Sequence, residues 1–118
     1  MIDPRSPSQE RLLYTAGPIS PNERGTTALF VARAKMIASE LRRKGWAVVC
    51  PHLNSVEIDG FDLAAYLLED FRILRDVDAL VLLPDWQFSP GTLEEVEFCA
   101  LRGIPVYDYR ALLPDWKG

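Results

Sequence analysis

A short, continuous apolar run is the feature that most constrains the fold of this chain. Residues 78–84 read Asp-Ala-Leu-Val-Leu-Leu-Pro. An apolar run of this length that ends at a proline is typical of a strand buried on both faces of a parallel sheet. Ser89 and Pro90 follow, and this pair favours the N-cap and first position of a helix. We therefore expect a buried strand that leads through a short loop into a helix.

Strand and helix patterns alternate along the rest of the chain. We predict strands at 11–16, 46–50, 78–83 and 104–107, and helices at 26–44, from about 62 past 70, and at 90–102. Such alternation implies a parallel sheet with right-handed crossovers. The expected fold class is α/β, a flavodoxin- or Rossmann-like three-layer sandwich with a four- to five-stranded parallel sheet.

The two ends of the chain carry weaker patterns. Residues 1–10 are rich in proline, serine and charge, and we expect a flexible head that contributes nothing to the core. Residues 11–118 are expected to form a single domain, whose tail adds one helical turn.

Composition narrows the function classes. The chain has 118 residues and a net charge of -4, which argues against a general surface for polymeric nucleic acid. Cys50 and Cys99 lie in apolar segments without metal-ligand spacing, so buried thiols are favoured over a disulfide. With His52 as the only histidine, we expect no metal site. The sequence shows neither a signal peptide nor an apolar run of about 18 residues, so we expect a cytoplasmic protein with no membrane partner.

Asp70 lies within the apolar stripe of the helix predicted before the buried strand. At 3.6 residues per turn it shares a face with Leu67 and Leu74, so its carboxylate points at the core or at a cleft. Removing an unpaired ion from water is costly. Asp70 is therefore either hydrogen-bonded by its neighbours or retained because a ligand binds to it.

Three loops should meet at one edge of the sheet, because the carboxyl ends of parallel strands lie together there. In the first loop, Gly17 either lets a ligand approach the backbone or simply makes a turn. Tyr14, just before it, either packs in the core or offers its hydroxyl to the site. In the second loop, His52 either contacts a ligand base or is solvated. The polar residues of the first loop that could touch phosphate or sugar are Ser20, Asn22 and Arg24.

Glu95 is the second candidate carboxylate. It lies one helical turn after Gly91, where it either complements the helix dipole or acts chemically. We expect the helix start to keep Glu95 ionised, which suits a nucleophile, whereas Asp70 in a more apolar setting could hold a proton. Two carboxylates with separated pKa values are what glycosidic chemistry requires.

The order of these motifs resembles the nucleoside 2-deoxyribosyltransferase superfamily over residues 12–106. The motifs are Tyr14-x-x-Gly17, Asp70 with Asp78, Ser89-x-Gly91-x-x-x-Glu95 and Ala100-x-x-Gly103-x-Pro105. The pattern is most similar to short bacterial and phage members that begin with Tyr-x-Ala-Gly-Pro and contain Pro-x-Trp-x-x-Ser-x-Gly. Here the second of these stretches runs from Pro84 to Gly91 and includes Trp86, which we place with Gly91 among the substrate-binding residues.

The resemblance implies roles for the candidate residues. Glu95 would attack the anomeric carbon of a (deoxy)ribosyl group, Asp70 would lie beside sugar and base, and Tyr14 would hold the nucleophile by a hydrogen bond. Gly17 would let the loop close on the ligand. Ser89 would face a phosphate, as in nucleoside 5′-monophosphate N-glycosidases, because an uncharged donor at a helix start suits a phosphate better than a carboxylate does.

The family implication is an N-glycosidase that acts on a small nucleoside or nucleoside 5′-monophosphate, needs no cofactor, and forms a homodimer or larger homo-oligomer. Arg24 would stand in for the arginine of the phosphate loop. The tail after Val106 lacks the asparagine that transferases take from a neighbouring subunit, which favours hydrolysis over transfer. A 2-deoxyribosyltransferase, a non-catalytic nucleotide-binding or interaction module, and a flavin-binding flavodoxin-like protein remain the alternatives.

Overall fold

The computed structural model describes residues 2–51 and 70–116. The strands are β1 (Leu12–Ala16), β2 (Ala47–Val49), β3 (Ala79–Leu82) and β4 (Val106–Asp108). The helices are α1 (Thr27–Lys44), α2 (Pro90–Arg102) and α3 (Tyr109–Leu112). Residues 70–74 are also helical, and Trp86–Phe88 forms a 3₁₀ turn. The earlier part of the helix predicted from about residue 62, with Leu67, lies outside the described residues, as does His52.

The four strands form one sheet in the order β2-β1-β3-β4, and every neighbouring pair is parallel. This confirms the predicted α/β fold of the flavodoxin- or Rossmann-like kind. The chain leaves β1 for the β2 side of the sheet and leaves β3 for the β4 side. The carboxyl ends of β1 and β3 therefore flank the switch point of the sheet, where ligands bind in open α/β folds.

Helix α1 lies within the predicted range 26–44 and is capped at both ends. The Thr26 side chain accepts a hydrogen bond from the Leu29 amide, which satisfies one free N–H of the first turn. Gly45 takes a left-handed conformation with φ of 115° and closes the helix. The basic residues Arg42, Arg43 and Lys44 occupy the last turn, where the helix dipole favours positive charge.

One face of the sheet packs against α1 and the tail. Its core combines β-strand residues Leu13 and Val81 with Ile37 and Leu41 of α1. Ile2 belongs to the same core and is only 5% exposed, so the expectation that residues 1–10 add nothing to the core is wrong. Burial of an apolar side chain stabilises the folded protein wherever the residue lies in the sequence. A segment rich in proline and charge gives no pattern from which the contact of Ile2 with the core could be predicted. The predicted helical turn of the tail is confirmed as α3.

The other face packs against α2 and residues 70–74. Its buried residues are Tyr14, Ala16, Leu74, Val77, Leu80, Leu82 and Cys99. Phe71 and Phe98 stack at its margin with ring centroids 4.8 Å apart. Successive residues of β1 thus alternate between the two faces, as the period of a strand requires.

Asp78 joins the beginnings of β1 and β3. Its Oδ2 accepts a hydrogen bond of 2.7 Å from the Leu12 amide, and its own amide donates to the Leu12 carbonyl at 2.8 Å. Arg11 lies 3.6 Å from the other carboxylate oxygen. Asp78 therefore has a structural role at the amino edge of the sheet, away from the loops of the candidate site. No helix in the described ranges, 2–51 and 70–116, has the length and hydropathy to cross a membrane.

Candidate active site

A tyrosine and a glutamate form a buried hydrogen bond between the sheet and α2. The Tyr14 hydroxyl donates to Glu95 Oε2 at 2.8 Å. Tyr14 is fully buried on the central strand β1, and Glu95 is 6% exposed on the inward face of α2, the face it shares with Thr92 and Cys99. Because the partners lie 81 positions apart in the sequence, this is a contact of the fold and not of local sequence.

Asp70 is the third member of the group. It is half-buried, and it acts on Tyr14 through its charge and through a side-chain hydrogen bond. Its charge also acts on Glu95. The structure thus brings together the three residues predicted as catalytic, although they come from a strand, from residues 70–74 and from α2.

Burial raises the pKa of Glu95 to about 8. The hydrogen bond from Tyr14 lowers this pKa, and the nearby charge of Asp70 raises it. The expectation that the helix start keeps Glu95 ionised is therefore wrong for the free protein at neutral pH. Glu95 is the sixth residue of α2, beyond the first turn in which the helix dipole acts, so loss of water outweighs the dipole.

The surrounding groups respond to the same environment. Burial is the largest cause that raises the pKa of the Tyr14 hydroxyl far above its usual range, followed by the charges of Glu95 and Asp70. Tyr14 consequently keeps its proton and acts as a donor. Burial, with a smaller contribution from the charge of Glu95, raises the pKa of the Cys99 thiol to about 11. Cys99 is thus a neutral packing residue beside the pair.

Ser89 caps α2 as predicted. Its Oγ accepts hydrogen bonds from the Thr92 amide at 3.2 Å and from the Thr92 hydroxyl at 2.9 Å. Two accepted bonds leave the Ser89 hydroxyl hydrogen to be donated elsewhere. Gly91 lies in the first turn between Pro90, which has no N–H, and Thr92. This helix start therefore combines a hydroxyl donor with the dipole of α2.

Gly17 has a packing role. A Cβ at this position would lie 2.8 Å from the Cβ of Leu83, closer than atoms of real side chains approach. The adjoining backbone is tied as well, since the Leu83 amide donates to the Ala16 carbonyl at 2.9 Å. Gly17 thus lets the ends of β1 and β3 pack closely, and its contact with a ligand stays a prediction.

Polar contacts link the β1–α1 loop to the loop after β3. Asn22 Nδ2 donates to the Phe88 carbonyl at 3.3 Å. The Arg24 guanidinium lies 5.0 Å from the centre of the Phe88 ring, and its Nε donates to Asp85 Oδ1 at 3.1 Å. The predicted ligand-binding residues Asn22 and Arg24 thus lie beside the α2 start. Ser20 is exposed. Trp86 is half-buried and packs against the core on the α2 face of the sheet.

Asp85 and Arg33 contact each other beside these loops, and neither was among the predicted site residues. Asp85 directly follows Pro84 and has a left-handed backbone with φ of 64°, and Arg33 of α1 binds it at 2.9 Å. The sequence signal for Asp85 is an acidic residue at the carboxyl end of a buried strand. Arg33 gives no comparable signal, because an arginine on a helix next to buried positions usually extends into water.

Among the residues that the structure describes, the carboxyl groups of Glu95 and Asp70 and the hydroxyl of Tyr14 come together as groups that can move a proton or attack a substrate. No three His, Cys, Asp or Glu side chains come together as a metal-binding group in the part of the chain that the structure describes.

The fold and the site together define a parallel α/β protein with a buried tyrosine–glutamate pair and a second carboxylate beside it. Residues 11–109 match the model of the family DUF4406, described as a domain of unknown function. Because this match spans most of the chain, the protein belongs to that family. Comparison with curated proteins gives no match.

Proposed function

We propose that this protein is an N-glycosidase that cleaves the bond between sugar and base in a nucleoside or nucleoside 5′-monophosphate. The observation that carries the proposal is the Tyr14–Glu95 hydrogen bond with Asp70 acting on both partners. A carboxylate held by a neutral donor suits a nucleophile. A second carboxyl group nearby suits proton transfer.

In the first step, an ionised Glu95 oxygen attacks the anomeric carbon. The carbon–nitrogen bond breaks, its electron pair leaves with the base, and the base takes a proton from water, which leaves a hydroxide ion. The Tyr14 hydroxyl keeps its proton and holds Glu95 Oε2, so that the other oxygen can form the bond. The product of this step is a glycosyl ester on Glu95.

In the second step, water attacks the same carbon and the ester bond breaks. Asp70 takes the proton from the water and passes it to the hydroxide left by the first step, and Glu95 returns as a carboxylate to its hydrogen bond with Tyr14. Sugar leaves with a hydroxyl where the base was attached. Transfer to another base would use the same intermediate, so the two reactions differ only in the group that attacks it.

A phosphate on the substrate fits the polar end of the site. Ser89 offers a hydroxyl hydrogen at the start of α2, and Arg24 lies in the facing loop. Both features favour an anionic substituent. We propose the monophosphate as the preferred substrate for this reason.

Two further properties follow from this proposal. A cytoplasmic location fits free nucleotides as substrates, and it agrees with Cys50 and Cys99, which are both buried free thiols. The resemblance to the nucleoside 2-deoxyribosyltransferase superfamily implies a homodimer. Light scattering of the purified protein would test the homodimer directly.

The test is chromatographic detection of free base after incubation with ribo- and deoxyribonucleosides and their 5′-monophosphates. Glu95→Ala should lose base release, because it removes the carboxylate that forms the glycosyl ester. Glu94→Ala is the matched control, since Glu94 is the neighbouring residue on α2 and is exposed. It should retain the wild-type rate.

Retained base release by Glu95→Ala would sink the proposal. A different result is that the folded wild-type protein releases no base from any compound of the panel and binds a nucleotide in a way that survives Glu95→Ala. That result would favour a non-catalytic nucleotide-binding module. Base exchange between two nucleosides in the same mixture would instead identify a transferase.

A further inference from the structure

Arg24, Arg33 and Asp85 form a cluster of charged side chains near the start of α2. Arg33 Nη1 contacts Asp85 Oδ2 at 2.9 Å, and Arg24 Nε contacts Asp85 Oδ1 at 3.1 Å. The three side chains carry a net charge of about +1 at neutral pH. Arg24 lies in the loop between β1 and α1, Arg33 on α1 and Asp85 after β3, and β1 and β3 are the two strands that flank the switch point.

Arg33 and Arg24 differ in exposure and in the hydrogen bonds that they donate. Arg33 is fixed, because its Nη2 also donates to the Pro84 carbonyl at 3.0 Å and its side chain is only 25% exposed. Arg24 is 50% exposed, and among the described residues its guanidinium donates a hydrogen bond only through Nε. The Nη edge of Arg24 therefore remains as a two-pronged donor that matches an oxyanion.

Arg24 is held in place from several sides. Its amide donates to Asn22 Oδ1 at 2.7 Å, and its guanidinium lies over the half-exposed Phe88 ring. A restrained arginine loses less side-chain entropy on binding an anion than a free one does. The group is thus arranged for a ligand before any ligand arrives.

Asp85 stays charged in this setting. Burial acts to raise its pKa, but the hydrogen bonds and charges of Arg33 and Arg24 outweigh burial and lower it. Its left-handed backbone is a conformation that aspartate and asparagine tolerate better than most residues do. The carboxylate is therefore a fixed negative charge that neutralises part of Arg24.

From this arrangement we propose that Asp85 is a resident counter-ion that competes with a ligand phosphate for Arg24. Asp85 thereby sets how strongly the protein prefers phosphorylated ligands over neutral ones. The inference rests on the proposed function for the identity of the ligand as a phosphate ester. It concerns binding alone, so it is tested without turnover.

The experiment measures dissociation constants of inorganic phosphate, ribose 5-phosphate and ribose by calorimetry. Asp85→Asn removes the charge and keeps a residue that accepts the left-handed backbone. We expect this variant to bind both phosphates at least threefold more tightly and ribose as the wild type does. Arg24→Gln should weaken phosphate binding by about tenfold, the usual loss for a charged hydrogen bond.

The double variant separates competition from a general effect of charge. In the Arg24→Gln background, Asp85→Asn should give no gain in phosphate binding, because the cation for which Asp85 competes is absent. Asp76→Asn is the control for net charge, since Asp76 is exposed and precedes β3 whereas Asp85 follows it. It should leave phosphate binding unchanged.

Three results would overturn the inference. These are unchanged or weaker phosphate binding by Asp85→Asn, an equal gain in the Arg24→Gln background, and no phosphate binding by either wild type or Asp85→Asn. Thermal unfolding of each variant checks that it is folded. Base release in the Glu95 assay is scored separately, so a protein that binds phosphate through Arg24 but releases no base would overturn the proposed function alone.

Discussion

The two faces of the sheet bury side chains of different chemistry. On the α1 face, Leu13 and Val81 meet Ile37 and Leu41, and among the described residues this core buries no charged side chain. On the α2 face, the buried space also holds the Tyr14–Glu95 hydrogen bond. The first face therefore supplies stability, and the second gives up part of its own stability to keep a carboxyl group out of water.

The difference arises from the alternation of one strand. Leu13 of β1 points to the α1 face and Tyr14 to the α2 face, so adjacent residues serve packing and chemistry. A shift of one residue in the register would exchange these roles. Mutations on the two faces should consequently have separable effects on stability and activity.

The largest effect should come from the α1 face. Ile37→Ala removes a fully buried side chain from the apolar core, which should lower the free energy of unfolding by about 2–5 kcal/mol. Base release per folded molecule should stay at the wild-type value. Urea unfolding combined with the base-release assay checks both. A loss of activity in fully folded Ile37→Ala would show that the two faces are coupled.

Glu95→Gln should sharpen the comparison by increasing stability at high pH. The pKa of Glu95 in the folded protein is about 8, above the ordinary value of 4.5. The protonated folded form is therefore favoured, and its stabilising contribution is complete below pH 4.5 and is lost as the pH rises through 8. A neutral glutamine avoids this loss and should be more stable than the wild type by several kcal/mol at about pH 8.5, on the order of 1.4 kcal/mol for each pH unit between 4.5 and 8.

The measurement for Glu95→Gln is thermal unfolding of both proteins from about pH 5 to about pH 9. Their unfolding temperatures should differ little at the acidic end and diverge as the pH approaches 8. Glu94→Gln on the exposed side of α2 serves as the control and should show no such divergence. A constant difference across this range would contradict the raised pKa of Glu95.

Tyr14→Phe should separate the donor role of the hydroxyl from its packing role. Removing the hydrogen bond takes away the interaction that lowers the pKa of Glu95, so the pKa should rise further. Base release needs ionised Glu95 and should increase with pH through about 8 in the wild type. In Tyr14→Phe the rising limb should move to higher pH, with about a tenfold lower rate at neutral pH.

The pH dependence of kcat/KM for both proteins tests this role. A uniform decrease of the rate at every pH, with the rising limb in the same place, would mean that Tyr14 contributes packing alone. Activity of the wild type that falls as the pH rises toward 8 would contradict a nucleophilic carboxylate.

Much of the fold follows from local signals in the sequence. The end of α1 and both bounds of α2 were predictable because Gly45, Ser89 and Gly103 are strong capping residues. The short strand β3 was predictable because a brief apolar run that stops at a proline is too short for a buried helix and fits a strand covered on both faces. The role of Ile2 was not, since a long-range apolar contact leaves no periodic pattern.

The candidate site, like the fold, was predictable from the sequence only in part. Asp70 could be singled out from its place in an apolar stripe, and the roles of Tyr14 and Glu95 came from the family resemblance, but the raised pKa of Glu95 depends on how deeply α2 is buried. Sequence position places a residue near a helix start and does not report its contact with water. The Arg33–Asp85 ion pair joins residues 52 positions apart, so only the fold reveals it.

The smallest change in stability is expected at Ser89, where capping and phosphate binding can be told apart. Ser89→Ala removes the acceptor for the Thr92 amide and should cost about 1 kcal/mol. Ser89→Asp retains an acceptor at the N-cap and a charge that the helix dipole favours, so its stability should lie within about 0.5 kcal/mol of the wild type.

The two variants should rank differently in phosphate binding than in stability. An aspartate at this position carries a negative charge toward the phosphate and has no proton to donate at neutral pH, so Ser89→Asp should weaken phosphate binding more than Ser89→Ala does. Calorimetry with ribose 5-phosphate and ribose, beside urea unfolding of both variants, checks the two orders together. If Ser89→Asp binds ribose 5-phosphate as the wild type does, Ser89 is a cap alone. The preference for a phosphorylated substrate would then depend on Arg24 across the loop, on the α1 side of the molecule.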